Sequence, residues 1–461
     1  MSPIDLGIVL VYLIGQLIFG LLVGRRETSE DFLVAGRRVP TRLLVFSVVS
    51  TNVGVGTLVG IASAGYETGI SYGLTILLGV LLGFLGMAFI APRIKQFGDR
   101  TRAHTLGDFL AERYGLGVRT ISAGVVLLAY FFFLAAQFVG LGALLEVWTG
   151  VGAESAVIFS AITMIAYTAV AGIKADFYTD TLHFLVMALV LFLVVLPVGL
   201  SRAGGLEGLN ELPSSFYNPF SFAGAAFFFG GAIFSVPLFF TTVEIWQRIY
   251  AARSPAAARL SLLISGLVNM PFILFGILLG LLAKVLLPGL EDPDLALFSL
   301  MDILLPVGVL GLGLAAFFAA FLSTANSMLM VASATVVKDF YLARLRASPQ
   351  ENRILTMSRA VTLLVGVAAL FISFWVEGIV DLLLGGFFLV GVLAPSVMGA
   401  LWWRRATKLG SIISIVSGVL VTLALIGFMP RTAFIPGMAV SGLVFVVVSL
   451  LIPTKTHSPF R

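Results

Sequence analysis

The sequence predicts an all-α protein that crosses a lipid bilayer many times. Of its 461 residues, 59% are hydrophobic and only 11% are charged, and the mean hydropathy is +1.09. Soluble domains are about 45–50% apolar and about 25% charged, so this chain has too little polar surface to fold in water. Many of its apolar runs also approach the about 20 residues that a helix needs to cross hydrocarbon. A water-soluble enzyme, a disordered chain and a secreted module are therefore excluded.

Thirteen segments are predicted to span the membrane. The first is a leading helix over residues 4–23, and no basic stretch precedes it, so we expect a retained span and not a cleaved signal. Core helices one to ten follow over residues 41–67, 70–92, 119–147, 154–172, 175–200, 221–247, 258–288, 304–337, 354–375 and 377–402, with trailing helices over 409–428 and 435–453. No connecting stretch is long enough for a soluble domain, so we expect a single transmembrane domain over residues 1–461.

The basic residues predict the orientation of these spans. With the N-terminus outside, 25 of the 28 lysines and arginines fall on the cytoplasmic side, all except Arg202, Lys284 and Arg431. Basic loops stay in the cytoplasm, so we expect an outside N-terminus and a cytoplasmic C-terminus in the cell (inner or plasma) membrane. The net charge of +5 is thereby explained by topology, and no nucleic-acid partner is expected. The absence of cysteine excludes disulfides and thiolate metal sites.

Core helices one and six are predicted to be interrupted near their middles. Core helix one contains glycines and polar side chains over residues 50–57, and core helix six contains two glycines and Pro237 over residues 230–237. Proline removes a backbone donor. Irregular backbone at membrane depth is tolerated only where it is buried in protein or lines a cavity. We therefore expect both interruptions to face the protein interior.

The spacing of the two interruptions predicts a secondary transporter. Core helix six lies five spans after core helix one, so the two helices run in opposite directions. Interrupted helices at matching places in two inverted repeats mark a transporter's substrate site. The repeats are predicted over residues 41–200 and 221–402, followed by the trailing helices at 409–453. Glycines elsewhere are predicted to allow close helix packing, namely Gly79, Gly83, Gly86, Gly276 and Gly280.

Core helix eight carries a cluster of polar residues that favours cation binding. Ser323, Thr324, Asn326 and Ser327 fall within five positions of an apolar span. One isolated hydroxyl is satisfied by its own helix backbone, but a cluster is harder to explain in that way. Hard cations take oxygen ligands, and the break in core helix one frees carbonyl oxygens at the negative end of a half-helix. We therefore expect a sodium site between core helices one and eight.

Core helix five places Asp176, Asp180 and His183 on one face. A carboxylate inside a span costs roughly 2.5–3.5 kcal/mol, which makes the deeper Asp180 the candidate for a second ion or a proton. We expect Asp176 to sit near the cytoplasmic interface. His183 is expected to act as a hydrogen-bond partner, since no other histidine is near it in sequence.

The role of Gln137 remains open, and a structural role is predicted for Glu244. Gln137 in core helix three either orients a substrate or bridges helices. Glu244 and Arg248 stand at i and i+4 near the end of core helix six, so a structural ion pair is predicted.

Several motifs together are similar to those of one transporter family. The motifs are Asp31–Pro40 (DFLVAGRRVP), Thr105–Gly115 (TLGDFLAERYG), Thr179–Asp180, Gln247–Ala252 (QRIYAA), Ala320–Thr324 and Trp403–Lys408. With these residues the chain resembles, over nearly its whole length, bacterial members of the sodium/solute symporter family of sodium–proline and sodium–glucose transporters. The resemblance implies the leucine-transporter fold, a five-plus-five inverted repeat with one leading and two trailing helices.

The resemblance also implies positions for the ligands. The main sodium site falls on the backbone carbonyls of Ser50, Val53 and Ala320 and on the hydroxyls of Ser323 and Thr324. A possible second sodium or proton site falls on Asp180, Asn326 and Ser327, with Thr324 beside them, although Asn326 departs from the serine-rich pattern. His183 stands where family members usually have glutamine. The substrate positions fall on Thr57, Ser235 and Leu238, to which Gln137 is added as the possible orienting residue.

We therefore expect a sodium-coupled symporter, not an enzyme, that imports a small organic solute by alternating access. The mostly apolar substrate positions favour an amino acid or a monocarboxylate over a sugar-type solute. One alternative is a proton-coupled transporter that uses Asp180; another is a non-transporting sensor, against which the short C-terminal tail argues. No residue cluster supports a membrane enzyme, and no continuous polar path supports a channel. Sodium is the only ion expected, and no obligatory protein partner is evident.

Overall fold

The computed structural model describes residues 2–24, 30, 34–170, 173–344, 351–376, 378–429 and 431–452. All regular elements in these ranges are helices, apart from one isolated β-bridge between Val39 and Ala252. The predicted all-α class is therefore confirmed. Several residues used in the sequence analysis lie outside the described residues, namely residues 31–33 of the first motif and Arg25, Arg26, Arg346, Lys455 and Arg461 of the topology argument.

The helices fall at the predicted places. The leading helix is Pro3–Gly24, and core helix one consists of helix 1a (Thr41–Asn52) and helix 1b (Gly56–Thr68). Core helices two to five are Ser71–Thr101, Leu116–Thr149, Ala153–Val170 and Ile173–Val190, the last continuing through Leu191–Val195 and Leu196–Arg202. Core helix six consists of helix 6a (Gly224–Phe239) and helix 6b (Val243–Ala251). Core helices seven to ten are Pro255–Leu286, Val309–Ala334, Glu351–Ile372, and Ile379–Gly391 with Ala394–Trp402, and the trailing helices are Lys408–Ile426 and Phe434–Leu451.

Two short helices lie between spans. The first is Leu106–Tyr114: the Thr105 side chain accepts a hydrogen bond from the backbone of Asp108 in a capping box, and Gly115 ends the helix. The second, Ala296–Leu304, precedes core helix eight and was not predicted separately. Core helix eight consequently begins at Val309, five residues later than expected.

The number of membrane crossings stays a prediction. Among the described residues, nine helices are long and apolar enough to cross a membrane, and two bent helix pairs bring the total to eleven. Two shorter apolar helices, Ala153–Thr168 and Thr356–Ile372, occupy the predicted core helices four and nine. Length and composition alone leave these two short of a full span.

The two predicted interruptions exist, but one lies elsewhere than expected. Helices 1a and 1b meet at 57°, at the glycines of the predicted break. Helices 6a and 6b meet at 43°, and Pro237 lies inside helix 6a, so the break comes after the predicted residues 230–237. Side chains stabilise this later position. The Thr241 hydroxyl donates to the carbonyl of Leu238 at 2.6 Å, and the Trp246 indole donates to that of Phe240 at 2.8 Å.

The glycines predicted to pack closely do so. A Cβ atom on Gly83 of core helix two would lie 2.3 Å from the Phe239 ring of helix 6a. A Cβ atom on Gly280 of core helix seven would lie 2.4 Å from the Ala62 carbonyl of helix 1b. Both broken helices are thus held close to an unbroken neighbour. Core helix eight runs through the interior, where nearly all of its residues are buried.

Candidate ion and solute site

The break in core helix one faces the polar stretch of core helix eight. The Ser323 hydroxyl lies 2.9 Å from the carbonyl oxygens of both Ser50 and Ala320. The Thr324 hydroxyl lies 3.0 Å from the carbonyl oxygens of Thr51 and Ala320. Hydroxyl and carbonyl oxygens from two helices therefore converge at one place. This donor set fits a hard monovalent cation such as sodium.

Four of the five predicted main-site residues are joined by these contacts. The exception is Val53, which is buried at the end of helix 1a but whose carbonyl makes no described contact with core helix eight. The Thr51 carbonyl, which was not predicted, takes a place in the same group. Any ligand role of these oxygens remains a prediction.

Gly54 allows the two helices to approach here. A Cβ atom on Gly54 would lie 2.5 Å from the Thr324 hydroxyl and 2.9 Å from the side-chain oxygen of Gln137. Either distance is shorter than a normal contact, so only glycine leaves the Thr324 hydroxyl in position. The same Gln137 oxygen accepts a hydrogen bond from the backbone N–H of Val55 at 3.1 Å. Gln137 therefore bridges core helix three to the unwound segment, one of the two roles left open by the sequence.

A cavity of about 180 Å³ lies next to this group of oxygens. All four predicted substrate residues line it, namely Thr57, Gln137, Ser235 and Leu238. Thr51 and Thr324 line it too, so the cavity borders the candidate sodium site. Nine aromatic residues also line the cavity, among them Tyr72, Phe133, Phe234, Phe239 and Phe387.

Two of the lining hydroxyls already have backbone partners. Thr57 donates to the carbonyl of Asn52 across the break at 2.7 Å, and Ser235 donates to Ala232 within helix 6a at 2.8 Å. The Asn52 side chain donates a hydrogen bond to the side-chain oxygen of Asn269 in core helix seven at 2.8 Å. The two hydrogen bonds of Asn52 stabilise the unwound segment. The hydrogen bonds of Thr57 and Ser235 orient these hydroxyls at the cavity wall.

The residues of the possible second ion site gather around Arg248. Asp180 is fully buried and accepts a hydrogen bond from Ser47 at 2.6 Å, while Asn326 donates to Asp176. The Arg248 Nη2 atom lies 2.6 Å from the Ser327 hydroxyl and 3.0 Å from Asp176 Oδ2. Carboxylates and a guanidinium group thus share one buried cluster.

One expectation about these residues is wrong. The predicted Glu244–Arg248 ion pair is replaced by contacts of Arg248 with the aspartates of core helix five, because its long side chain turns towards the protein interior. Glu244 instead accepts a hydrogen bond from the Tyr130 hydroxyl. The Asp176 side chain is 1% exposed because Arg248 and Asn326 cover it, and its expected place near the cytoplasmic interface stays a prediction.

Two partners of Arg248 that were not predicted have a usable signal in the sequence. Ser47 stands four residues before Thr51, on the same face of helix 1a, and both contact Arg248. His183 was expected to be a hydrogen-bond partner, and its Nε2 atom lies 2.7 Å from the Gln16 side chain of the leading helix.

The chain is similar in sequence to known transporters. The chain is 27% identical over 430 residues to a sodium/pantothenate symporter of Haemophilus influenzae, covering 89% of this chain and 87% of the relative. It is 26% identical over 465 residues to the high-affinity proline transporter PutP of Bacillus subtilis, covering 95% and 96%.

Solved structures show the same fold. A Na+-coupled sialic acid symporter, in a substrate-bound outward-open state, matches with a TM-score of 0.84 at 18% identity, covering 99% of each chain. The nucleobase-cation-symport-1 family transporter Mhp1, in a closed conformation, matches with a TM-score of 0.64 at 14% identity, covering 93% of this chain and 97% of Mhp1. The leucine-transporter-type fold predicted from the sequence is therefore confirmed. The sodium:solute symporter family model matches residues 32–418, and the chain belongs to this family of multi-pass membrane transporters with sodium as the coupling ion.

Proposed function

We propose that this protein imports a small organic solute together with sodium by alternating access. The observation that carries the proposal is that Thr324 belongs both to the candidate sodium site and to the wall of the cavity. Its hydroxyl contacts the carbonyl oxygens of the broken helix 1a, and the same residue lines the aromatic cavity. A sodium ion bound at this place would therefore brace the wall of the solute cavity. Ion and solute binding would be coupled through shared atoms.

The electrical gradient supplies the driving force for import. Each sodium ion that crosses a potential of 100 mV releases roughly 2.3 kcal/mol, before any concentration gradient. Sodium would enter from outside and bind between core helices one and eight. The solute would then bind between core helices one and six, and both would leave inwards.

The proposed solute is an amino acid or a monocarboxylate. No lysine or arginine stands among the described residues that line the cavity, so a carboxylate would need other positive partners. Helix 1b begins at Gly56, and Gly54, Gly56 and Thr57 line the cavity at this amino end. The amino end of a helix carries partial positive charge and free N–H groups. Proline, pantothenate and sialic acid, after which similar transporters are named, all carry a carboxylate.

A sugar-type solute and a proton-coupled mechanism are the alternatives to this proposal. A thermal-stability screen of the purified protein against amino acids, monocarboxylates and sugars, each with and without sodium, distinguishes the solute classes. We expect a carboxylate-bearing compound to raise the melting temperature only when sodium is present. Stabilisation by a sugar alone would contradict the solute class. Uptake into proteoliposomes driven by a pH gradient without sodium would favour the proton-coupled alternative, and binding without any uptake would favour a sensor.

The candidate sodium site is tested by removing both hydroxyls of core helix eight. We expect the Ser323→Ala/Thr324→Ala double variant to lose sodium-driven uptake in proteoliposomes, because two of the oxygen ligands are gone. The matched control is Ser333→Ala on the same helix, where the hydroxyl bonds the carbonyl of Ser358 in core helix nine. This control is expected to retain sodium-driven uptake. Unchanged sodium dependence in the double variant would disprove the site.

The close approach at Gly54 gives a second test. A methyl group at Gly54 would displace the Thr324 hydroxyl, so Gly54→Ala is expected to weaken sodium binding at least tenfold, equivalent to about 1.4 kcal/mol. Gly60→Ala is the control, since its added Cβ atom meets Leu383 at an ordinary 3.5 Å. The measurement is the sodium concentration that gives half-maximal thermal stabilisation. Equal values for the two variants would contradict this role of Gly54.

The proposed orientation places the N-terminus outside and the C-terminus in the cytoplasm. The chain has no cysteine, so single cysteines can be introduced without background. The exposed Gly289 precedes core helix eight on the proposed outside, and the exposed Glu112 follows core helix two on the proposed inside. A membrane-impermeant maleimide is expected to label Gly289→Cys in intact cells but Glu112→Cys only after permeabilisation. The reverse pattern would invert the topology.

A further inference from the structure

Glu244 is the only aspartate or glutamate among the described residues that line the solute cavity. It stands in the first turn of helix 6b and is half-buried. Arg248 lies one turn further along the same helix, but its guanidinium group turns to Asp176 and Asp180. Within the described part of the chain, no lysine, arginine or histidine forms an ion pair with the Glu244 carboxylate. The cavity wall therefore carries one acidic side chain without a positive partner.

Tyr130 of core helix three fixes the Glu244 side chain at the cavity. The Tyr130 hydroxyl donates to Glu244 Oε2 and accepts a hydrogen bond from the backbone N–H of Val243 at 3.1 Å. Tyr130 and Glu244 both line the cavity. Because Tyr130 contacts only one of the two carboxylate oxygens, the Oε1 atom is left for a ligand.

The aromatic rings beside Glu244 also suit a positively charged ligand. The Phe133 ring packs edge-on against Tyr130, with 5.6 Å between the ring centroids, and against Phe387, with 4.9 Å. All three rings line the cavity. The face of an aromatic ring attracts a cation. A carboxylate next to such rings is a suitable binding place for an ammonium group.

The Glu244 carboxylate and the amino end of helix 1b lie at different levels of the cavity. Tyr130 contacts Glu244, while Gln137 contacts the backbone of Val55 in the unwound segment. Tyr130 and Gln137 are two turns apart on one face of core helix three, which is about 10 Å along its axis. Two hydrogen bonds of about 3 Å each cover part of this distance. A solute that contacts both ends therefore has several bonds between its two charged groups.

We propose that Glu244 binds an ammonium group of the solute, so that the transported compound is an amino acid whose amino group lies several bonds from its carboxylate. The solute carboxylate binds at the amino end of helix 1b, and the ammonium group binds Glu244 at the other level. A carboxylate without an amino group leaves Glu244 unpaired in a half-buried place, which is costly. This inference narrows the solute class of the proposed function and rests on that function.

The test compares three acids of equal carbon number on the purified full-length protein in sodium. The probes are γ-aminobutyrate, its isomer α-aminobutyrate, and butyrate, which has no amino group. The measurement is the concentration of each acid that gives half-maximal thermal stabilisation. We expect wild type to bind γ-aminobutyrate about tenfold more tightly than butyrate, the effect of one hydrogen bond to a charged group. We also expect γ-aminobutyrate to bind more tightly than α-aminobutyrate.

Glu244→Gln separates solute binding from a structural role. The variant loses the charge but keeps a side-chain oxygen that accepts a hydrogen bond from Tyr130. We expect it to lose the preference for γ-aminobutyrate over butyrate, whereas a merely structural Glu244 would leave that preference unchanged. The control Asp302→Asn changes an exposed carboxylate outside the cavity and is expected to keep the preference.

Several results would overturn the inference. Wild type could bind butyrate as tightly as γ-aminobutyrate, bind α-aminobutyrate as tightly as γ-aminobutyrate, or bind none of the three acids. These results need only wild type, so they decide even if Glu244→Gln does not fold. A folded Glu244→Gln protein with the wild-type preference would also overturn it. A wild type that sodium alone does not stabilise would instead refute the proposed sodium-coupled function, and the inference with it.

Discussion

The structure depends on how the backbone carbonyls at the break in core helix one are satisfied. In a dry interior each unsatisfied backbone group costs several kcal/mol, so a broken helix survives only where other groups replace its lost hydrogen bonds. Ser323 and Thr324 supply hydroxyls to the freed carbonyls of Ser50 and Thr51. The oxygens that stabilise the break are thereby the oxygens suited to a sodium ion. Stability of the fold and the proposed affinity for sodium would therefore depend on the same atoms.

The same constraint shapes the other interruptions. At the end of helix 6a, Thr241 and Trp246 donate to carbonyls that the break frees. Core helix ten is interrupted as well, and the Ser441 hydroxyl of the second trailing helix donates to the freed carbonyl of Val392 at 2.8 Å. A trailing helix thus supports a break in the core, and its first residue, Phe434, also lines the cavity. Each interruption lies where a neighbouring side chain can donate.

Local patterns in the sequence predict the features that local chemistry determines. The glycines after Asn52 indicate the break, and the hydroxyls of core helix eight indicate its polar partner. Each of these signals can be found in the sequence because it lies within a single span. The break in core helix six was placed too early, since Pro237 is a visible signal, whereas the donors that stabilise the later break come from Thr241 and Trp246. The partner of Arg248 was missed for a similar reason. Spacing along a helix indicates Glu244, but the aspartates come from a span more than sixty residues away.

Thr51 connects the candidate sodium site to the buried residues around Arg248. The Thr51 carbonyl accepts a hydrogen bond from Thr324, while its hydroxyl accepts one from Arg248 of helix 6b. Helix 6b therefore cannot move away from helix 1a without breaking a charge-assisted hydrogen bond in a buried site, which is stronger than a neutral one. A sodium ion bound at the proposed site would restrain the backbone of helix 1a at that same residue. Through Thr51, which also lines the cavity, a sodium ion at this site would be coupled to the position of helix 6b.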